Sequence, residues 1–440
     1  MITFIGIILG MFGISVMQLI LATAMPFIVA EIGGDYLYSW VFSSYMLASL
    51  LTIPVFSKLA DMYGKKIFYL LGMGLFAAGT LYGGLAPDME HLIIARVIQG
   101  LGAGMMMPVS LAMISDQFPT DKRGNMIGIF GFVQILAILL SPFLGSFITK
   151  QLGWHWIFYI TLGAILVAMV LVASGRQPSQ SNQRVRWSEI DLVGGLVFGI
   201  FCVLVVSFSD AVSNQGKLEL SGLLLLIGAI ITFLILLWNE THHKDPVIKV
   251  TFFQTKILRR SIFSSIIAGG IMYGLVTLLP LCGVSLNNQG VYINESRILL
   301  LFLMGITIGL LVFSRLVAKL NPAFPKVLWA LSFIGAGLMY HSISAGNFVL
   351  FYIVTGFLGL CLGGIMATLL INSQNAVSSE DRTVLSGLVQ LGRYLGAAVG
   401  VTILTGMLPE VSQISGAAQF LGAFGLLVGM YVLGLVNEII

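Results

Sequence analysis

The chain has 440 residues, of which 58% are hydrophobic and only 9% charged, and it carries a formal net charge of +4. An ordinary water-soluble domain has about 25% charged residues, so no soluble fold could cover this much apolar surface and the solvent must be lipid. The small basic excess lies in short stretches between apolar runs, which excludes a nucleic-acid partner.

A helix that crosses a bilayer needs ~20 largely apolar residues. Runs of that kind fall at 3–30, 38–60, 67–86, 91–115, 124–149 and 155–174. Two more follow at 190–209 and 219–238, then six at 259–284, 295–319, 325–344, 347–374, 383–408 and 417–437. They predict an all-α integral membrane protein with fourteen spans. The first run reads as a retained span and not as a cleaved signal, because no basic segment precedes it and it exceeds the roughly 7–15 residues of a signal core. Residues 176–186, rich in Ser and Gln, predict a flexible connector. The expected organisation is a six-helix bundle at 1–175, a linker with two further helices at 176–258, and a second six-helix bundle at 259–440.

Basic residues orient the spans, since they accumulate in cytoplasmic loops. With the N-terminus inside, the inner ends collect Lys58, Lys65, Lys66, Lys122, Arg123, Arg176, Arg184 and Arg186, then Lys244, Lys249, Lys256, Arg259, Arg260, Arg315, Lys319, Lys326 and Arg382. Only Lys150, Lys217 and Arg297 fall outside. The bias predicts a multi-pass protein of the cell membrane with both termini in the cytoplasm.

The two halves echo each other. Val55-Phe56-Ser57-Lys58-Leu59 closes the second span and Val312-Phe313-Ser314-Arg315-Leu316 the tenth, while Phe132-Val133-Gln134 and Leu388-Val389-Gln390 recur in the fifth and thirteenth. Such repeats flank midplane sites in secondary transporters.

Two charges lie deep in spans, Arg96 and Arg393, and no carboxylate accompanies them near a midplane. An intramembrane cation is costly and functional by default. Arg96, Gln99 and Gly100 share one helix face by their i, i+3, i+4 spacing. The polar groups set within apolar spans, Gln18, Tyr45, Arg96, Gln99, Gln134, Gln390 and Arg393, are the candidate substrate-binding residues. Cys202, Cys282 and Cys361 have no metal or redox spacing and read as packing residues. His242-His243 reads as part of a solvated loop, and His91, His155 and His341 lie near span ends. No nucleophile–base pair, metal-ligand cluster or phosphate loop is visible, so neither an enzyme nor a cofactor or metal is expected.

Several stretches carry a family resemblance. Ser57-Lys58-Leu59-Ala60-Asp61-Met62-Tyr63-Gly64-Lys65-Lys66 resembles the major facilitator signature Gly-x-Leu-Ala-Asp-Arg-x-Gly-Arg-Lys, losing its first Gly and the Arg after the Asp. Arg96-Val97-Ile98-Gln99-Gly100-Leu101-Gly102 resembles that superfamily's fourth-helix motif, and Asp116 through Gly124 its following loop. Trp40 to Pro54 and Gly153-Trp154-His155-Trp156-Ile157-Phe158 resemble the fourteen-helix drug:proton antiporter branch, with His155 where the branch has Arg. The branch also has Arg-x-x-Gly-Gly where Arg393 precedes Gly396; Gly392, Gly396 and Gly400 form a packing stripe. Two departures stand out. The branch's first-helix Asp is Met17 and its Asn is Ala22, while its glycine-rich fifth-helix motif is reduced to Ser141-Pro142-Phe143-Leu144-Gly145-Ser146, with Ala137 upstream.

The resemblance implies the major facilitator fold, two pseudo-symmetric six-helix bundles plus two inserted helices around a midplane cavity. It implies that one bundle rocks against the other, with Asp61, Gly64, Lys65 and Arg123 forming the inner gate and Pro142 and Gly145 shaping the fifth helix. The expected activity is export of a lipophilic or amphipathic small molecule by a monomer in the lipid bilayer, with protons as the coupling ion. Two deep arginines without a deep carboxylate favour a neutral or anionic substrate over a cation. An uncoupled uniporter or lipid-like translocator, and a non-transporting sensor or scaffold, remain open on the same residues.

Overall fold

The computed structural model describes residues 1–175, 191–215, 220–242, 250–288, 295–316, 324–377, 382–408 and 417–439. Within them the backbone is helical, and no strand occurs among the described residues. Among the described residues fourteen helices are long and apolar enough to cross a membrane. They are α1 (Ile2–Ile32), α2 (Tyr38–Tyr63), α3 (Lys65–Gly84), α4 (Met89–Gln117), α5 (Thr120–Leu152) and α6 (His155–Ser174), then α7 (Leu192–Gln215) and α8 (Leu220–His242). The second set is α9 (Lys256–Asn288), α10 (Glu295–Leu316), α11 (Phe324–Ser344), α12 (Phe348–Asn375), α13 (Arg382–Gly406) and α14 (Leu421–Ile439).

Helices are the form that satisfies every backbone group inside a segment, which hydrocarbon demands. Their ends follow local chemistry. Asp88 caps α4 by accepting the His91 backbone N–H at 2.9 Å, and Asn347 caps α12 by accepting that of Leu350 at 3.1 Å. Gly64, between α2 and α3, has φ 111°, a left-handed turn that a side chain would strain.

The contacts divide the chain into two compact units, Met1–Leu204 with Ile227–Val247, and Val205–Leu226 with Ile248–Ile440. In the first unit α1 packs on α5 and α6, α2 on α4, and α3 on α4 and α6. In the second unit α9 packs on α13 and α14, α10 on α12, and α11 on α12 and α14. Adding eight to each helix number turns one list into the other, so the sequence echo reflects a repeated architecture. The division runs through α7 and α8, each of which has one half in either unit.

Candidate functional site

In the first unit the chemistry gathers where α2, α3 and α4 meet. Arg96 lies two turns into α4 and is 1% exposed. Its Nε donates to the Val41 carbonyl of α2 at 3.0 Å and its Nη1 to Gln99 Oε1 at 2.7 Å. The guanidinium carbon lies 4.1 Å from the centre of the Tyr45 ring, within cation–π range. Gln99 passes the network on, its Nε2 donating to Thr80 Oγ1 of α3 at 3.0 Å, and Thr80 in turn donates to the Phe76 carbonyl. Close approach makes this geometry reachable: a Cβ on Gly100 would strike the Tyr45 carbonyl, and Ser49 Oγ donates to the Gly100 carbonyl at 3.1 Å. A buried cation without partners costs several kcal/mol. Here a carbonyl, an amide and a π face receive it, and they hold the charge without neutralising it.

The α1–α5 contact supplies a second polar group. Ser15 Oγ of α1 donates to Gln134 Oε1 of α5, and the Gln134 Nε2 is buried with no hydrogen-bond partner among the described residues. Gln18, one turn on from Ser15, is 8% exposed. Lower in the same contact, Ser141 Oγ bonds the Ala137 carbonyl at 2.5 Å and reaches the Val16 carbonyl at 3.4 Å. Serine in place of the motif's glycine thus still permits close helix approach. Gly145 is packed so tightly on α1 that a Cβ would meet Thr23 Oγ1 and the Ile20 carbonyl, and Pro142 sits inside α5 one turn away.

In the second unit α13 lies against α9 along the stripe Gly392, Gly396 and Gly400, which faces Ser265, Ile266 and Gly270. Arg393 stands beside the stripe and is half-buried. Its Nη2 donates to Gln390 Oε1, while its Nε is buried without a partner among the described residues.

At the loop after α2, Lys65 Nζ pairs with Asp116 Oδ2 at 2.6 Å, tying the start of α3 to the end of α4. Lys66 donates to the Ala173 and Gly175 carbonyls at 2.8 and 2.7 Å and so caps the C-terminus of α6, where a cation is favoured by the helix dipole. Both ties stay within the first unit. The side chains of Asp61 and Arg123 lie outside the described residues, so their expected gate has no geometry here.

Sequence reasoning missed Ser15, Thr80 and Glu438. Hydroxyls are too common in membrane helices to mark a site. Glu438 fell outside the predicted span, whereas α14 continues to Ile439 and buries it to 6% exposure against Ser264 Oγ at 3.0 Å. In α7 the helix likewise outruns its predicted end and takes in Asp210. The three cysteines are buried and unbridged.

Fourteen apolar helices among the described residues, twelve of them in two repeated sets of six, with amides and guanidinium groups held inside them, define a polytopic helical membrane transporter. The family model of the Major Facilitator Superfamily matches residues 3–401, and the chain belongs to that superfamily. It is 29% identical over 409 residues to the multidrug transporter protein MdtP of Bacillus subtilis (strain 168), covering 91% of this chain and 73% of that protein. It is 32% identical over 282 residues to multidrug resistance protein 3 of the same organism, covering 63% of this chain and 54% of the relative's length. The multidrug resistance protein Stp of Mycobacterium tuberculosis (strain CDC 1551 / Oshkosh) is 28% identical over 417 residues, 93% of this chain and 76% of that protein. Among solved structures, a mutant of the peptide transporter POT in complex with sulfate superposes with a TM-score of 0.70 at 15% identity, covering 99% of this chain and 93% of that one. A bacterial homologue of the human lysosomal transporter Spinster, inward-facing and occupied, gives 0.65 at 13% identity, covering 99% and 95%. At such identities the likeness concerns the fold.

Proposed function

We propose that this transporter exports a lipophilic or amphipathic small molecule, neutral or anionic, by alternating access. The relatives' names support the class of cargo. The charge preference rests on one observation, that the two repeat glutamines both have their acceptor oxygens engaged. Ser15 takes that of Gln134 and Arg393 that of Gln390, leaving Gln134 Nε2 and Arg393 Nε as buried donors without partners among the described residues. A buried donor left unmade costs about 1–3 kcal/mol, and a substrate carbonyl, ether or carboxylate would recover it where an ammonium could not. Arg96 adds a retained positive charge of the same sense.

In this reading Gln134, with Gln18 one turn on from its partner Ser15, and, within the second unit, Gln390 and Arg393 contact substrate, while Arg96, Gln99 and Tyr45 form the scaffold that positions α2 against α4. Gly64, Lys65, Asp61 and Arg123 serve the conformational change, and Pro142 and Gly145 shape α5. The protein works as a monomer in the cell membrane with both termini cytoplasmic, built as 1–175, 176–258 and 259–440.

Coupling to proton antiport follows from the branch it resembles. Met17 in place of that branch's Asp favours a second reading, an uncoupled uniporter. Proteoliposomes loaded with neutral, anionic and cationic lipophilic probes test both points. Export of neutral or anionic probes, accelerated by an imposed pH gradient, is the expected result. Indifference to the gradient selects the uniporter, and movement of cations alone overturns the charge assignment.

A further inference from the structure

The second unit carries a basic patch outside the residues proposed for substrate contact and gating. Lys256, Arg259, Arg260 and Phe263 follow i, i+3, i+4, i+7 spacing and so lie on one face of α9. Lys256 and Arg259 are exposed, and Lys326, at the start of α11, lies within electrostatic reach of Glu438, as Arg260 does. Among the described residues the acid that meets these cations is Glu438, which feels both Arg260 and Lys326. Arg260 is half spent on structure: its Nη2 donates to the Ile439 carbonyl at 3.3 Å, and its own carbonyl accepts from Asn437 Nδ2 at 3.1 Å. Its Nε is buried with no partner among the described residues. Among the described residues the cations of this face outnumber its acids. Directly along that face the surface turns apolar, with Phe263 46% exposed and the Phe253 ring 6.5 Å from it, and with Ile257 exposed alongside.

We propose that this face of α9 binds an anionic phospholipid, its phosphate against Lys256, Arg259 and Arg260 and an acyl chain along Phe263. A cationic cluster at the end of an apolar span followed by an exposed aromatic side chain matches both ends of such a lipid. The assignment is independent of the transported substrate.

Native mass spectrometry of the full chain with phosphatidylglycerol and phosphatidylcholine tests it, with thermal unfolding as the fold control. Phosphatidylglycerol should be retained more tightly. The Lys256→Gln/Arg259→Gln double variant, which spares the Arg260–Asn437–Glu438 ties, should lower that preference roughly thirtyfold, at about 1 kcal/mol for each basic group near an anionic headgroup. Lys150→Gln, elsewhere in the chain, should leave it unchanged, and Phe263→Ala should weaken retention of both lipids. Equal retention of the two lipids by the wild type, a double variant that folds and keeps the preference, or equal stabilisation by inorganic phosphate would each overturn the proposal.

Discussion

Arg96 in the first unit and Arg393 in the second each pair with a glutamine one turn away on their own helix, yet they are held differently. The Arg96 guanidinium reaches Val41 and Tyr45 of α2 and, through Gln99, Thr80 of α3, so three helices converge on one buried cation. Arg393 is half-buried, bonds Gln390 within α13, and keeps its Nε unpaired among the described residues. The close packing of α13 on α9 is carried by the glycine stripe beside it and does not need the arginine. A deep arginine can therefore be the pin of a bundle or keep a donor that no other helix takes up among the described residues, which is where the proposed substrate contact of Arg393 rests. What distinguishes them is how many helices its donors reach.

Substitutions can break that contrast. Arg96→Ala leaves Gln99 Oε1 without its donor and a void against Tyr45 in a buried site, and should cost about 3 kcal/mol of stability along with transport. Thermal unfolding in detergent or nanodiscs reads this directly, and Arg96→Lys should restore little, because an ammonium lacks the forked geometry. Next in size is Gly396→Ala, whose new methyl would meet the Ile266 backbone carbonyl and should cost roughly 1–3 kcal/mol. Gly74→Ala, with open space around it, should be neutral in the same measurement.

Arg393→Ala should change the unfolding midpoint by a far smaller amount, no more than about 0.6 kcal/mol, the average for a hydrogen bond between membrane helices, since its bond to Gln390 stays within α13. Its flux should nevertheless fall at least roughly tenfold, as loss of a charged hydrogen bond to substrate implies. Equal destabilisation by Arg96→Ala and Arg393→Ala would erase the distinction. Lys66→Met should cost about 1 kcal/mol by uncapping α6, whereas Lys65→Gln, losing a part-exposed ion pair with Asp116, should cost less. A fall in flux with Lys65→Gln at unchanged stability would assign it to gating.

The smallest effect concerns pH. The Asp88 carboxyl is held below the usual carboxylate range, chiefly by the His91 backbone N–H and then by the His91 side chain. Its folded-state value is depressed, so its contribution is complete above the unfolded value near ~4 and fades as pH falls through the lower folded one. Amide exchange at the first turn of α4 should therefore quicken only in strong acid, and Asp88→Asn should remove that dependence.

Composition alone fixed lipid as the solvent, because 9% charge over 440 residues leaves no other. Hydropathy then located the spans to within a few residues, since a bilayer imposes one length on every helix. The echo at Gln134 and Gln390 was readable for the same reason that the helix pairings repeat. The sequence also singled out Arg96 and Arg393, but as equals. Only tertiary packing separated them, because the partners of a side chain in hydrocarbon come from other helices, and spacing along one helix says nothing about which carbonyl or hydroxyl arrives from the next. Ser15 and Thr80 stayed invisible for that reason: each gains its meaning from a neighbour on another helix.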